Sequence, residues 1–313
     1  MISVNNLCKH FDKHKVIDNL SFEINTGEIA AFLGPNGAGK STTMKMLTGF
    51  LKPSSGDITI NDKRYTDSNK SAIAIKSSIG YLPEGAPAYS EMTVYQFLKF
   101  ITQIRKIPKP KRAQAIQSVV EQVELEKVLD KQIENLSKGF KRRVGIAQAI
   151  IHDPEILILD EPTDGLDPNQ KYQVRELIKN LAKDKLIIIS THILEEVTAL
   201  CNRVIVISDG KKCFDDSPEA LRAMSPYYNA VSLKLSYLSD ISGLLELDGV
   251  AEMRHDKETG LVTVFPEPGK QILSQVSTHI QLKHLPVDMV FPHEVKLDDV
   301  FRRVTSYSFL ENE

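Results

Sequence analysis

The chain has 313 residues, of which 42 % are hydrophobic and 26 % charged, and its formal net charge is −2. That composition builds an ordinary folded core, so wholesale disorder is excluded. The near-neutral balance gives no strong field to recruit nucleic acid or an anionic membrane.

Short β-rich runs alternate with helical patterns through about residue 215. Strands are expected over 21–24, 29–33, 57–60, 156–159, 186–190 and 204–208, with helices between them, as at 41–49 and 169–183. The runs 156–159 and 186–189 are apolar at every position, the pattern of central parallel strands covered on both faces. Residues 91–150 break the rhythm and read as a helical subdomain. A boundary is expected near Asp215-Asp216-Ser217-Pro218, dividing the chain into domains 1–218 and 219–313. Beyond it the pattern gives strands at 231–235, 250–254, 261–265 and 285–291, and helices at 238–247, 270–280 and 297–305. The order β-α-β-β-α-β implies a small α+β, ferredoxin-like unit with an added helix. There is no fixed-period repeat and no low-complexity tract. The longest apolar stretches are strand-length, far short of the ~20 residues that span a bilayer. The N-terminus does not read as a signal peptide. Three cysteines, Cys8, Cys201 and Cys213, form no Cys-x-x-Cys pair and read as reduced thiols of a cytosolic protein.

Two segments carry chemistry. Gly34-Pro35-Asn36-Gly37-Ala38-Gly39-Lys40-Ser41 fits the phosphate-loop pattern G-x-x-x-x-G-K-[ST]. Glycines let successive backbone N–H groups turn inward around phosphate oxygens, and the following helix aims its positive end at them. With Thr42, this loop is the candidate nucleotide site: Lys40 reaches the β- and γ-phosphates and Ser41 offers a hydroxyl to Mg²⁺. A glycine-rich turn is the plain alternative, disfavoured by the apolar strand before the loop and the helical run after it. Downstream, Ile156-Leu157-Ile158-Leu159 runs into Asp160-Glu161, two acids at the C-terminal end of a buried strand, where open α/β sheets place their ligands. Asp160 is the candidate Mg²⁺ residue and Glu161 the group that orients and deprotonates an attacking water. Without the upstream loop the pair would read as a strand end reaching solvent.

Leu136-Ser137-Lys138-Gly139-Phe140 opens a helical stretch running towards Ile151. Ser137 can cap that helix, and the free N–H groups at its start can hold phosphate. Alone, the segment reads as a plain capped helix with a basic first face. The series of phosphate loop, LSKG, ILILDEP, Gly165-Leu166-Asp167 and then His192 after the strand at 186–190 resembles the ATP-binding subunit of ABC transporters over about residues 1–220. The resemblance implies a P-loop α/β cassette that hydrolyses ATP and forms a head-to-tail dimer with itself or with a paralogous cassette. Ser137 and Gly139 of one subunit then complete the ATP site of the other, and Asp167 carries contact between the two sites. His192 hydrogen-bonds the γ-phosphate and the attacking water. Phe11 matches the aromatic that stacks on adenine, a contact worth about 1–3 kcal/mol. The family usually has glutamine where Tyr81-Leu82-Pro83-Glu84 places Glu84. A carboxylate there can still ligate Mg²⁺ but, ionised, cannot donate a hydrogen bond.

The basic run at 105–112 reads as a solvated, proline-broken loop rather than a lipid-facing patch. Lys296-Leu297-Asp298-Asp299-Val300-Phe301 resembles the "LEDVF" ending of the accessory domain on ABC-2 type exporter ATPases, of the drug-export and gliding-motility kinds. Residues 220–313 otherwise show no catalytic constellation and read as a packing and dimerisation domain. The implied partner is a separate transmembrane permease, with the chain on the cytoplasmic face of the membrane and no nucleic acid bound. A soluble ABC ATPase of translation or DNA repair, and an unrelated small-molecule kinase, are the competing readings. The first usually brings two cassettes or a coiled coil, and the second gives LSKG and His192 no task.

Overall fold

The first two strands, β1 (Ile2–Phe11) and β2 (His14–Ile24), form an antiparallel hairpin in the computed structural model of the chain. The structure describes all residues except Leu238, 257–258 and 311–313, and the side chains at 306–310 are also outside the description. Contacts divide the chain into two units, Met1–Pro218 with the residues from Thr305 on, and Glu219–Val304.

In the first unit, β3 (Ile29–Leu33) runs into the glycine-rich loop and then α1 (Lys40–Leu47). Next come β4 (Ser55–Ile60) and β5 (Lys63–Arg64), which extend the hairpin into an antiparallel sheet of order β2-β1-β4-β5. After α2 (Asn69–Ser78) and β6 (Ile79–Leu82) the helical stretch begins, with α3 (Val94–Ile104), α4 (Arg112–Gln122) and α5 (Lys138–Ile150). Thr93 and Gln96 form a reciprocal capping box at the start of α3, and Ser137 caps α5 by accepting from the Phe140 amide. Then follow β7 (Ile156–Asp160), α6 (Pro168–Leu181), β8 (Leu186–Thr191), α7 (Leu194–Leu200), β9 (Arg203–Ser208) and β10 (Lys211–Asp216).

The second sheet has the order β10-β9-β3-β8-β7-β6. Its β9-β3-β8-β7-β6 pairs are parallel, and only the edge strand β10 is antiparallel. β3, β7 and β8 are buried at every position, and up to Asp160 at the end of β7 and Ser190-Thr191 at the end of β8 their sequences are unbroken apolar runs. Each Ile, Leu or Phe among them contributes about 1.5–3 kcal/mol on leaving water. Phe22 of the first sheet meets Phe32 of the second edge to face, with centroids 5.0 Å apart, inside one shared core. The strands β1, β5, β6 and β10 lie outside the elements expected from the pattern. The basic run is structural at its ends: Arg105 donates to the carbonyls of Lys76 and Ile79, and Arg112 to that of Ile107.

The second unit has its own apolar core around Val231, Leu233, Leu244, Val262, Val264 and Val276. After α8 (Pro218–Ala223), its strands are β11 (Val231–Leu235), β12 (Val250–Asp256), β13 (Leu261–Pro266) and β14 (Val287–Pro292), in the antiparallel order β12-β13-β11-β14. Helix α9 (Leu273–Leu282) precedes β14 and α10 (Leu297–Leu310) follows it. Numbered within the unit, the order is 2-3-1-4, the ferredoxin-like arrangement. The expected helix at 238–247 is a correction. Its first residue lies outside the described set, and the rest folds only as a 3₁₀ turn over Ser242–Glu246. Asp240 accepts from the Ser242 amide and starts that turn, and Asp248-Gly249 ends the segment before a full helix can form.

Candidate functional site

The glycine-rich loop joins the C-terminal end of β3 to the start of α1 in the first unit. Two glycines are required by its geometry. Gly39 sits at φ +101°, where L side chains are strained, and a Cβ there would come 2.4 Å from Ile17 Cδ1. A Cβ on Gly34 would come 2.3 Å from the Ile207 carbonyl oxygen, because the loop crosses directly against β9. The Ala38 carbonyl accepts from the Gly210 amide, a second tie to the far side of the sheet.

Lys40 is 6 % exposed, and its Nζ donates to the carbonyls of Gly34 at 2.8 Å and Pro35 at 3.2 Å. Burial lowers its pKa, opposed by the negative charges of Glu161, Asp160 and Glu84. A poorly hydrated ammonium at the start of a helix is suited to polyphosphate, whose charge would restore what burial takes away. Asn36, Gly37, Gly39, Lys40, Ser41 and Thr42 line a cleft of about 440 Å³, with Val16, Glu84 and Glu161 completing its wall.

The paired acids lie across the cleft at the end of β7, and both are buried. Ser41 Oγ donates to Asp160 Oδ1 at 3.2 Å. Asp160 Oδ2 is buried with no hydrogen-bond partner among the described residues. A hydroxyl, an orphaned carboxylate oxygen and the nearby Glu84 are a hard-oxygen donor set of the kind Mg²⁺ takes alongside phosphate and water. Glu161 turns the chain sharply at φ +51°. Its Oε1 lies 3.9 Å from Lys40 Nζ and its Oε2 lies 3.0 Å from His192 Nδ1. His192 itself is 45 % exposed. The structure therefore brings Lys40, Ser41, Glu84, Asp160, Glu161 and His192 to one place.

Four predicted residues lie elsewhere. Ser137 and Gly139 line a separate cavity of about 520 Å³ with Phe140, Arg143, Gln170 and Gln173. Asp167 caps α6, accepting from the Gln170 amide at 3.0 Å. Phe11 stands half-exposed at the hairpin tip with Lys9 Nζ 4.9 Å above one face of its ring, and it is not among the residues of the cleft wall. The sequence reading passed over Val16, which does line the cleft. It also passed over Arg142, a buried cation on α5 whose Nη2 donates to the Asp164 carbonyl at 3.4 Å. An arginine between other basic residues carries no signal of burial.

A family model described as ABC transporter matches residues 17–164. The ABC transporter ATP-binding protein YxlF of Bacillus subtilis is 38 % identical over 211 residues, covering 67 % of this chain and 69 % of that protein. The chain belongs to the ABC transporter family. It is an ATP-binding subunit of that family, and an ATPase. The Nod factor export ATP-binding protein I of a Rhizobium species is 38 % identical over 214 residues, 68 % of this chain and 69 % of that one. Among solved structures, cbiO1 of Clostridium perfringens, part of the ABC transporter complex cbiONQ, superposes with a TM-score of 0.64 at 32 % identity. That match covers 71 % of this ABC subunit and 90 % of cbiO1. ABC ATP-binding subunits dimerise and work with a transmembrane permease. No helix among the described residues of this one is long and apolar enough to cross a membrane.

Proposed function

We propose that this ABC subunit drives an exporter from the cytoplasmic face of the membrane, through a head-to-tail dimer with itself or a paralogous cassette. The separation of its two half-sites carries the reading. Ser137 and Gly139 line a cavity apart from the phosphate-loop cleft, so a second cassette is needed to bring them to a nucleotide. Export is supported by the likeness to the Nod factor export proteins and by the LEDVF-like ending. The division of labour is then a cassette at 1–218, with its helical subdomain at about 91–150, and an accessory domain at 219–313.

Lys40 and the loop amides hold the β- and γ-phosphates in the cleft, and Phe11, at the hairpin tip outside the cleft wall, stacks on the adenine. Asp160, Ser41 and Glu84 are the residues that would hold Mg²⁺, which neutralises phosphate charge when bound. Glu161 orients and deprotonates the attacking water. His192 donates Nδ1–H to Glu161 Oε2, which fixes the ring at the γ-phosphate end of the cleft. Ser137 and Gly139 contribute across the dimer, and Asp167 links the two sites. Catalysis rests on positioning and charge, with no covalent enzyme intermediate.

The test is complementation. Ser137→Arg and Lys40→Ala each abolish turnover alone. Mixed, they form heterodimers with one working site and recover a fraction of wild-type ATPase activity. No recovery at any ratio refutes the head-to-tail assembly.

A further inference from the structure

The last polar side chain before the end of β8 has no task in the scheme above. Ser190 is fully buried and stands in register with Asp160 on the neighbouring strand. Its Oγ–H donates to Asp160 Oδ1, and the same oxygen accepts from the Glu161 amide at 3.2 Å. The Ser190 carbonyl accepts from that amide too, at 3.0 Å. One serine therefore holds both acids of the site, the first by its carboxylate and the second by its backbone.

We propose that Ser190 is a positioning residue for ATP hydrolysis, which fixes the Asp160 carboxylate toward the metal and the Glu161 side chain toward the water. The proposal rests on the roles given above to Asp160 and Glu161. On Asp160, Oδ1 receives two hydroxyl donors, from Ser41 and Ser190, whereas Oδ2 receives none. The two hydroxyls thus decide which oxygen is left for a cation. Ser41 is the member of that pair whose own oxygen is also a candidate metal ligand. Ser190 touches no part of the phosphate loop in the hydrogen-bond network and anchors the carboxylate from the sheet. On Glu161, the backbone is left-handed at φ +51°, a conformation that L residues resist. The forked bond from its amide to Ser190 Oγ and O holds that turn in place. With the turn held, the carboxylate stays between Lys40 and His192. An alanine at 190 would keep the backbone and the carbonyl bond. It would lose the donor to Asp160 and one arm of the fork.

The experiment compares full-length wild type, Ser190→Ala, Ser190→Thr and Asp160→Asn. Mn²⁺ binding is read by the loss of the free-ion electron paramagnetic resonance signal in the presence of a non-hydrolysable ATP analogue. Steady-state ATPase rates and melting temperatures are measured alongside. Ser190→Ala is expected to weaken Mn²⁺ binding and to lower kcat, each about tenfold, the usual scale of a lost hydrogen bond to a charged group. KM for ATP should stay within about twofold, because no ligand to the nucleotide changes. Ser190→Thr, which keeps the hydroxyl, should recover most of both. Wild-type Mn²⁺ affinity in Ser190→Ala with weakened affinity in Asp160→Asn overturns the role of Ser190. Wild-type affinity in both variants overturns instead the assignment of Asp160 on which it rests. If Ser190→Ala does not fold, Ser190→Cys gives the same shape with a weaker donor and is read in the same way.

Discussion

His152, just past the end of α5, makes the cassette acid-labile at a definable place. Its Nε2–H donates to the Ile79 carbonyl of β6 at 3.2 Å, and Nδ1 is buried without a hydrogen-bond partner among the described residues. Burial, reinforced by the Arg105 guanidinium beside it, pushes the imidazole down from 6.5 to about 4. The folded state therefore prefers the neutral ring, whereas the unfolded chain takes up a proton as the pH falls through 6.5. Stability from this residue is complete above about pH 6.5 and is lost progressively as the pH drops towards 4. A pKa difference of about 2.5, at 1.36 kcal/mol each, is about 3.4 kcal/mol if nothing screens it. The ring is only part-buried, so solvent screening reduces the expectation to about 1.5–2 kcal/mol, of which about 1 kcal/mol is gone by pH 5. The perturbation is His152→Gln, whose amide can still donate to Ile79. The chain has no tryptophan to report on this region, so local stability is best read by hydrogen exchange of peptides from β6 and α5 in increasing urea, at pH 7.5 and pH 5. Between those pH values the wild type should lose about 1 kcal/mol more than the variant. Equal losses in the two proteins would refute the reasoning.

Glu161→Gln keeps the hydrogen bond to His192 in shape but removes the base. It should bind ATP normally and turn it over about 10²–10⁴-fold more slowly, and wild-type turnover would remove Glu161 from the mechanism. Lys40→Ala should lose nucleotide affinity in a calorimetric titration, and unchanged binding would count against the phosphate-loop reading. Gly39→Ala forces a Cβ to 2.4 Å from Ile17 Cδ1 at φ +101°, a strain of about 1–3 kcal/mol. It should lower the melting temperature as well as ATP binding, and a variant that melts and binds like wild type would show that the loop tolerates another path.

The chemistry was most legible where the physics leaves a continuous mark. A phosphate cradle needs its glycines in a fixed order, and a strand covered on both faces needs an unbroken apolar run. So Gly34 to Ser41 and the approach to Asp160-Glu161 could be read directly. β1 could not, because its register slips between Val4 and Leu7, between Leu7 and Lys9 and again before His10, so its polar residues break the period of two. β6 has only four residues and includes Gly80, too little pattern to stand out. The pairing of Glu161 with His192 joins positions 31 residues apart and depends on the parallel register of β7 and β8. Ser190 ends an apolar run and reads simply as the strand reaching its limit, although its hydroxyl meets both acids. In the second unit, the stretch from 238 contained enough leucines to suggest a helix. Its acidic and glycine neighbours allow one 3₁₀ turn instead.

The crossed order of the central sheet also sets a timetable for biosynthesis. The antiparallel sheet is complete in sequence by Arg64, so it can form while the rest of the chain is still being made. β3 cannot be finished in the same way, because its neighbours are β8 and β9, and Ile29 pairs with Ile187, 158 residues later. At about 5–20 residues per second, an entirely apolar strand and the loop it carries wait about 8–30 s for their partners to leave the ribosome. During that interval the nascent chain presents an unpaired, aggregation-prone edge, which the early hairpin shelters through Phe22 against Phe32. Substitutions that loosen that aromatic contact should therefore reduce the yield of folded protein more than they reduce the stability of what has folded.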